Sequence, residues 1–510
     1  MHWLSLPEPN RKFEPAFADP ESARGWLARQ PQTLALFMLG ALTQQIEAID
    51  ASEMLAEDAI SLLNLMRSAA APVQAGVEAR FFRKPLPLTD DDQRCFEAAQ
   101  QLWSSLGIAY LRRVPHLLPA ARSLPLNRAA CAFRMTAYCY FQAAQQYPEP
   151  LDHWLFGVLA YAAKHELLRQ PLPDPDFPHF GDSHIGGHLA WAFLLRQIDP
   201  YRLTASELLV ANRAISRWRE LTTFQREPDE TGKVPMLDLQ HLSTTPLPDE
   251  VPRWLDVKTV TRKIRQRIDA LRAGESTEAL KLGRELSPAA CTRLLAELGD
   301  SLQRPPQRPT GESGPIELFF GNENAFALFN GEPLNPPDLD TTSGSIAHER
   351  VAVFGFDQAE RIQSAVNKVK LSGETWSMDD GLLHRIASRG QPRRQSPCLV
   401  ALREEKAPRL GVLFGLQCTP GHELIGGLHC YDEDIEAGWL KRPGPLNQKM
   451  PRIAAFLLEG HGHLSLILPV NAGARLNFGL ALEGTSVTHL VPYEVLERGI
   501  DFVRYACKRT

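Results

Sequence analysis

The sequence predicts an α+β multidomain fold, with an all-α region followed by a small β-barrel and a further β segment. Three observations carry that prediction. Apolar residues recur three or four positions apart through most of the chain up to Leu302, the spacing of one helix face. A Pro-rich stretch, QRPPQRPTGESGP, then interrupts the pattern. Beyond it come short β-prone runs separated by Gly and Pro, as in small barrels and sandwiches. The expected division is 1–225 helical, 226–303 linker plus helices, 304–440 barrel and 441–510 C-terminal β segment.

The helices follow in order. Leu34 to Ile49 is apolar at helical spacing, and Ser52 is expected to cap the helix after it. Further helices are expected at about 91–112, 127–146, 153–168 and 183–197. Thr204 with Glu207 forms a capping box, each side chain satisfying a free backbone N–H of the first turn. Behind it Leu208, Ala211, Ile215, Trp218 and Leu221 share one face. Residues 225–253, rich in Pro, Asp and Thr, read as a linker. Asp256 to Arg272 is helical again, with Gly274 placed to end it. Ser287–Pro288 gives an N-cap followed by Pro at the first helical position. No fixed-period repeat is visible in the sequence.

In the C-terminal part the expected strands are Ile316–Phe320, Arg350–Phe354, Pro397–Leu402, Gly411–Leu416, Leu424–Cys430, Leu464–Leu468, Leu476–Leu482 and Ser486–Val491. LGVLFGL and ELIGGLHCY, joined by QCTPGH, read as a hairpin. Gly411, Gly426 and Gly427 within it mark bulges or close backbone approaches. Tyr493 to Tyr505 has mixed helix and strand character.

Composition narrows the function classes. With 510 residues, 44% hydrophobic and 23% charged, the chain has globular composition and room for two to four domains. The formal net charge of −5 gives no bulk attraction to DNA or to an anionic membrane surface. No apolar run reaches the length of a membrane span, and the N-terminus lacks the apolar core of a signal peptide. Eight cysteines without a CxxC pair or metal-ligand spacing fit a reduced, cytoplasmic chain.

Catalytic motifs are missing from the sequence: there is no G-x-S-x-G, P-loop, G-x-G-x-x-G or H-E-x-x-H. No catalytic residue and no metal ligand is therefore assigned. PHFGDSHIGGHLAW is the nearest thing to a metal constellation, with His184 and His188 four apart and His179 and Asp182 upstream. Its plainer reading is a helix N-terminus capped by Asp182 or Ser183, with Gly186 and Gly187 interrupting the helical pattern. Asp256–Arg272 carries six basic residues against two acidic ones. That is a basic amphipathic helix, read as a solvated face or as one docked on an acidic neighbour.

Arginines near the β region form the remaining signal. Arg304 and Arg308 make an R-x-x-x-R in RPPQR, just before the first strand. Arg389 and Arg393 make a second in SRGQPRRQSP. Between Arg385 and Arg409 there are seven basic and two acidic residues. Planar guanidinium forks suit bidentate contact with phosphate and stack on bases.

On these residues the region from about 304 to 435 resembles a PilZ domain, the small β-barrel that binds cyclic di-GMP in bacteria. RPPQR stands where the family has its R-x-x-x-R. KAPRLGVLFGL followed by HELIGGLHCY is similar to the family's late barrel hairpin. The layout, a long helical region before the barrel, is also similar to bacterial PilZ-containing proteins. The family's second motif, [D/N]-x-S-x-x-G, has no match at the proper spacing. ETWSMDDGLLHR supplies Ser377, Asp379, Asp380 and Gly381 near the place it should occupy.

The resemblance implies a non-enzymatic signalling protein that binds cyclic di-GMP or a related nucleotide and acts on a protein partner through the helical region. The implied ligand residues are Arg304, Arg308, Asp379, Asp380, Gly381, Arg389 and Arg393. It implies no cofactor beyond that ligand, no metal and no DNA. The alternative is a ligand-free, degenerate PilZ-like scaffold or adaptor for protein–protein interaction.

Overall fold

A computed structural model describes residues 5–31, 33–178, 181, 183–232, 234–304, 313–330, 371, 373–388, 390–404, 407–441, 453–460 and 462–510. The chain divides into two compact units, residues 1–308 with 417–421, and residues 309–416 with 422–510.

In the helical unit the helices are α1 (Pro20–Ala28), α2 (Ala35–Ala51), α3 (Ala56–Phe81), α4 (Asp90–Arg113), α5 (Ser123–Ala143), α6 (Glu149–Lys164), α7 (Ile185–Gln197), α8 (Ala205–Trp218), α9 (Lys258–Arg272) and α10 (Pro288–Ser301). Helix α5 is buried nearly all round, through Leu126, Ala129, Ala130, Phe133, Ala137 and Phe141. A helix apolar on every face belongs in a core, with others packed around it. Alanine lets those neighbours approach closely, and Gly107 of α4 goes further. A Cβ there would stand 2.4 Å from the Phe133 ring.

The caps follow local chemistry where the local signal is complete. Thr204 and Glu207 make the reciprocal capping box at the start of α8, with the Glu207 carboxylate accepting from the Thr204 N–H at 2.9 Å. Ser287 caps α10 ahead of Pro288. Gly274, at φ +95°, ends α9 and donates to Leu271 O at 3.1 Å. Ser52 behaves differently from expectation. It closes α2, its hydroxyl donating to Ile49 O at 2.7 Å, and α3 starts at Ala56 without a side-chain cap. The expected linker 225–253 is partly ordered into a sheet. β1 (Thr223–Gln225) and β2 (Met236–Asp238) pair antiparallel on either side of β3 (Trp254–Asp256).

Two closed six-stranded barrels make up the second unit. The first consists of β4 (Gly314–Phe320), β5 (Glu374–Asp379), β6 (Leu382–Ile386), β7 (Cys398–Leu402), β8 (Arg409–Cys418) and β9 (Glu423–Cys430), in the order β4-β5-β6-β9-β8-β7. The second consists of β10 (Asp434–Lys441), β11 (Ile453–Gly460), β12 (His463–Pro469), β13 (Leu480–Glu483), β14 (Val487–Arg498) and β15 (Phe502–Arg509), in the order β10-β11-β12-β15-β14-β13. Matched strand for strand, these orders are identical, so the unit repeats one barrel topology. The expected β segment is thus a second barrel, and it opens at Asp434 rather than at 441. The expected strand Arg350–Phe354 lies outside the described residues. Tyr493 to Tyr505 is strand at both ends, in β14 and β15.

The two barrels share a core. β11 is buried on both faces, as its near-continuous apolar run requires. Ala454, Phe456 and Leu458 join Phe319, Leu399 and Leu410 of the first barrel. Ala455 and Leu457 point into the second barrel with Leu466, Leu482 and Leu490, following the period of two along a strand. A short helix, α11 (Asn322–Asn330), seals the junction. Its Phe326 ring lies 4.5 Å from Trp439 and its Asn322 amide donates to Ala454 O at 2.7 Å. The close approach expected of the β8–β9 glycines is present. A Cβ on Gly411 would stand 2.5 Å from His429 O, and one on Gly427 2.4 Å from the Phe414 ring.

Candidate functional site

The expected ligand residues of the first barrel lie around the β5–β6 hairpin and the loop leading to β7. On β5 the side chains alternate, with Trp376 buried and Thr375 and Ser377 exposed. The strand then turns through Asp380 and Gly381, at φ +46° and +76°. Two successive left-handed residues make the tight turn that suits a twisted hairpin, and Asp-Gly is a preferred pair for it. Asp380 and Gly381 therefore have a structural reason to be where they are. Asp379, at the end of β5, accepts from Ser313 Oγ at 3.3 Å. Asp379 and Asp380 are exposed and Gly381 is half-buried.

The basic segment that follows is largely ion-paired with residues outside it. Glu374, at the start of β5, bridges Arg385 and Arg394. Arg385 is buried, lies 4.9 Å over the Trp376 ring and donates to Pro392 O at 3.0 Å. Arg394 lies 4.0 Å over the Phe320 ring. Arg403 pairs with Glu317 at 2.8 Å, and Arg409 with Glu404 at 3.2 Å. The seven-to-two excess read from the sequence is thus reduced by Glu374 and Glu317. Of the expected residues, Arg393 stands exposed on this loop and makes no ion pair among the described residues. Its chain neighbours are held on both sides, Pro392 O by Arg385 and the Arg394 side chain by Glu374. Arg389 and Arg308 lie outside the described residues. Arg304 belongs to the helical unit, where its side chain is 70% exposed and 3.8 Å from Asp300. Its carbonyl accepts from the Gln197 amide at 2.8 Å.

The histidines of PHFGDSHIGGHLAW form a different kind of site. His184, not Asp182 or Ser183, caps α7, its Nδ1 accepting from the Gly187 N–H at 2.8 Å while Nε2 pairs with Glu220. Gly186 and Gly187 lie within the first turn of α7, and a Cβ on Gly187 would stand 2.2 Å from the Glu220 carboxylate. His188 is wholly buried. It is 3.1 Å from Ser183 Oγ and 3.5 Å from Arg134. Burial, then the positive charges of Arg134 and Arg219, holds its pKa well below the usual histidine value, so it is neutral. A serine beside a histidine could suggest a nucleophile and its base. Here both are fully buried, the imidazole stands beside Arg134, and the carboxylate of Glu220 accepts from the Ser183 hydroxyl at 3.3 Å. This is a hydrogen-bonded core, in which Arg134 also donates to Ser216 Oγ and stacks 4.5 Å over Trp191. His179 and Asp182 lie outside the described residues. No three His, Cys, Asp or Glu side chains gather as a metal site among the described residues.

Residues 21–229 match the family model of the N-terminal domain of the cyclic-di-GMP receptor FimW. The matched span runs from α1 to just beyond β1 and lies within the helical unit. No curated protein and no solved structure matches the chain. No helix among the described residues is long and apolar enough to cross a membrane.

Proposed function

We propose that this chain is a non-enzymatic, cytoplasmic signalling protein of PilZ type that binds cyclic di-GMP and acts on a protein partner through its helical region. The observation that carries the proposal is the similarity of residues 21–229 to the N-terminal domain of a cyclic-di-GMP receptor. A closed six-stranded barrel beginning at Gly314, just after the R-x-x-x-R segment, supports the PilZ reading. In this reading Arg304, Arg308, Arg389 and Arg393 contact the phosphates, and Asp379, Asp380 and Gly381 contact a guanine. Exposed guanidinium groups such as those of Arg304 and Arg393 suit that task, because charge-assisted forks bind phosphate oxygens strongly. The ligand changes the protein's state by the difference between its affinities for the two conformations.

Titration of the full chain with cyclic di-GMP, alongside Arg304→Ala/Arg308→Ala, tests the reading. The double variant weakens binding by at least about 1.5–3 kcal/mol, the scale of a hydrogen bond to a charged group. Equal affinity of the two proteins contradicts the assignment of those arginines.

A second reading, a ligand-free scaffold, is favoured by one observation. Asp380 and Gly381 form a hairpin turn without the spacing of the family's second motif. The two readings separate in a capture experiment with the full chain as bait. A partner whose retention changes with cyclic di-GMP supports the signalling protein. Retention that ignores the ligand supports the scaffold.

A further inference from the structure

The basic helix α9 borders a cavity of about 500 Å³ within the helical unit. That volume is in the range of small-molecule sites. Five cationic side chains line it: Arg217 from the end of α8, Arg262, Lys263 and Arg267 from α9, and Lys281 from the turn after α9. No carboxylate lines it among the described residues. The α9 lining positions 259, 262, 263, 266 and 267 share one face by the three-and-four spacing of a helix. The adjoining face, with Val260, Ile264 and Leu271, is buried. Trp218, Leu221, Leu280 and Leu282 give the same cavity an apolar side.

The walls are anchored. Arg213 of α8 donates to Leu282 O at 2.6 Å and holds both oxygens of Glu285, at 2.8 and 2.7 Å. Gly283 makes this contact possible. Its φ is +101°, and a Cβ there would stand 1.7 Å from the Arg213 guanidinium. Lys281 sits in the left-handed region at φ +60°, with its N–H bonded to Glu278 O at 2.8 Å. Three acids of the flanking segments are paired elsewhere: Glu285 with Arg213, Glu278 with Arg284 and Glu220 with Arg219. None of the five cations makes an ion pair among the described residues. Five like charges around one cavity repel one another. An anion in the cavity relieves that repulsion.

We propose that this cavity binds a phosphate-bearing nucleotide, its phosphates among the five cations and its base or sugar against the Trp218 and leucine side. Arginine forks and lysines match phosphate oxygens, and the apolar side matches an organic ring rather than a bare anion. The site uses none of the residues assigned to the barrel ligand and does not rest on that assignment.

The test is calorimetric titration of the full chain with cyclic di-GMP, GTP and inorganic pyrophosphate, in the wild type, Arg262→Gln/Lys281→Gln and Arg304→Ala/Arg308→Ala. Arg262 and Lys281 are both exposed, so their loss leaves the fold intact, which circular dichroism checks. The expected result is a saturable site for at least one nucleotide that is at least tenfold weaker in Arg262→Gln/Lys281→Gln and unchanged in Arg304→Ala/Arg308→Ala, separate from the cyclic di-GMP site that the latter variant weakens. Pyrophosphate binds at least tenfold more weakly than that nucleotide. The proposal is overturned if no nucleotide binds, if pyrophosphate binds as tightly, or if nucleotide binding ignores the Arg262/Lys281 change. Loss in the Arg304/Arg308 variant alone overturns the cavity and leaves the barrel reading standing.

Discussion

Two arginine-rich segments of this chain look alike in sequence and differ in the structure. The loop and strands around Arg385–Arg409 face carboxylates from elsewhere in the fold, with Glu374 taking two arginines and Glu317 a third. The segment around α9 keeps three of its cations, with Arg217 and Lys281, around a cavity that no carboxylate lines among the described residues. A local excess of positive charge therefore does not tell whether the charge is available. Partners distant in sequence decide it.

The largest expected effect comes from removing the shared barrel partner. Glu374→Gln leaves buried Arg385 without its counter-charge, which costs about 3–5 kcal/mol of stability by the usual scale for breaking a buried pair. Denaturant unfolding of the full chain checks it. A loss below about 1 kcal/mol breaks the contrast, because the barrel arginines would then be as independent as those of α9.

A pH experiment probes another acid of the same unit. Asp501, whose carboxylate accepts from the Leu399 N–H at 3.0 Å, has its pKa pushed up to about 6 by burial. Its folded pKa is above the unfolded one of about 3.9. The unfolded state therefore loses its proton first as pH rises, and stability declines between about pH 4 and 6. Asp501→Asn, which keeps an acceptor oxygen, removes that part of the decline. Parallel stability profiles for the two proteins count against it.

Helix α8 carries Arg217 and Trp218 to the cavity, and its first turn rests on the capping box. Thr204→Ala is expected to cost about 1 kcal/mol, the typical value of a lost cap. Thermal unfolding measures it. The smallest effect is expected for Arg393→Ala. This side chain is exposed and unpaired among the described residues, so stability changes by less than about 0.5 kcal/mol. A larger loss would place Arg393 with its paired neighbours.

What could be read from sequence followed the range of the interaction. The capping box of α8, the Ser-Pro start of α10 and the Gly274 stop are each complete within a few residues, and all three are present. His184 took the cap of α7 because its ring reaches Gly187 while Glu220, thirty-six residues on, holds its other nitrogen. No local pattern contains that partner. Strands β7, β8, β9 and β12 stood out as apolar runs between turns. The second barrel did not, because its closure depends on β10 meeting β13 and β12 meeting β15. The hairpin of β5 and β6 is marked by Asp-Gly between alternating apolar residues, in the same stretch where the family's second motif would stand. Glu374 has no local signature, because its partners lie eleven and twenty residues away. The cavity has none either, because its wall combines α8, α9 and a turn.

The measurement closest to the central claim is the titration of the folded, full-length protein with cyclic di-GMP. The account predicts saturable heat that weakens in Arg304→Ala/Arg308→Ala. No heat at high micromolar ligand, with the fold verified on the same sample, would contradict it.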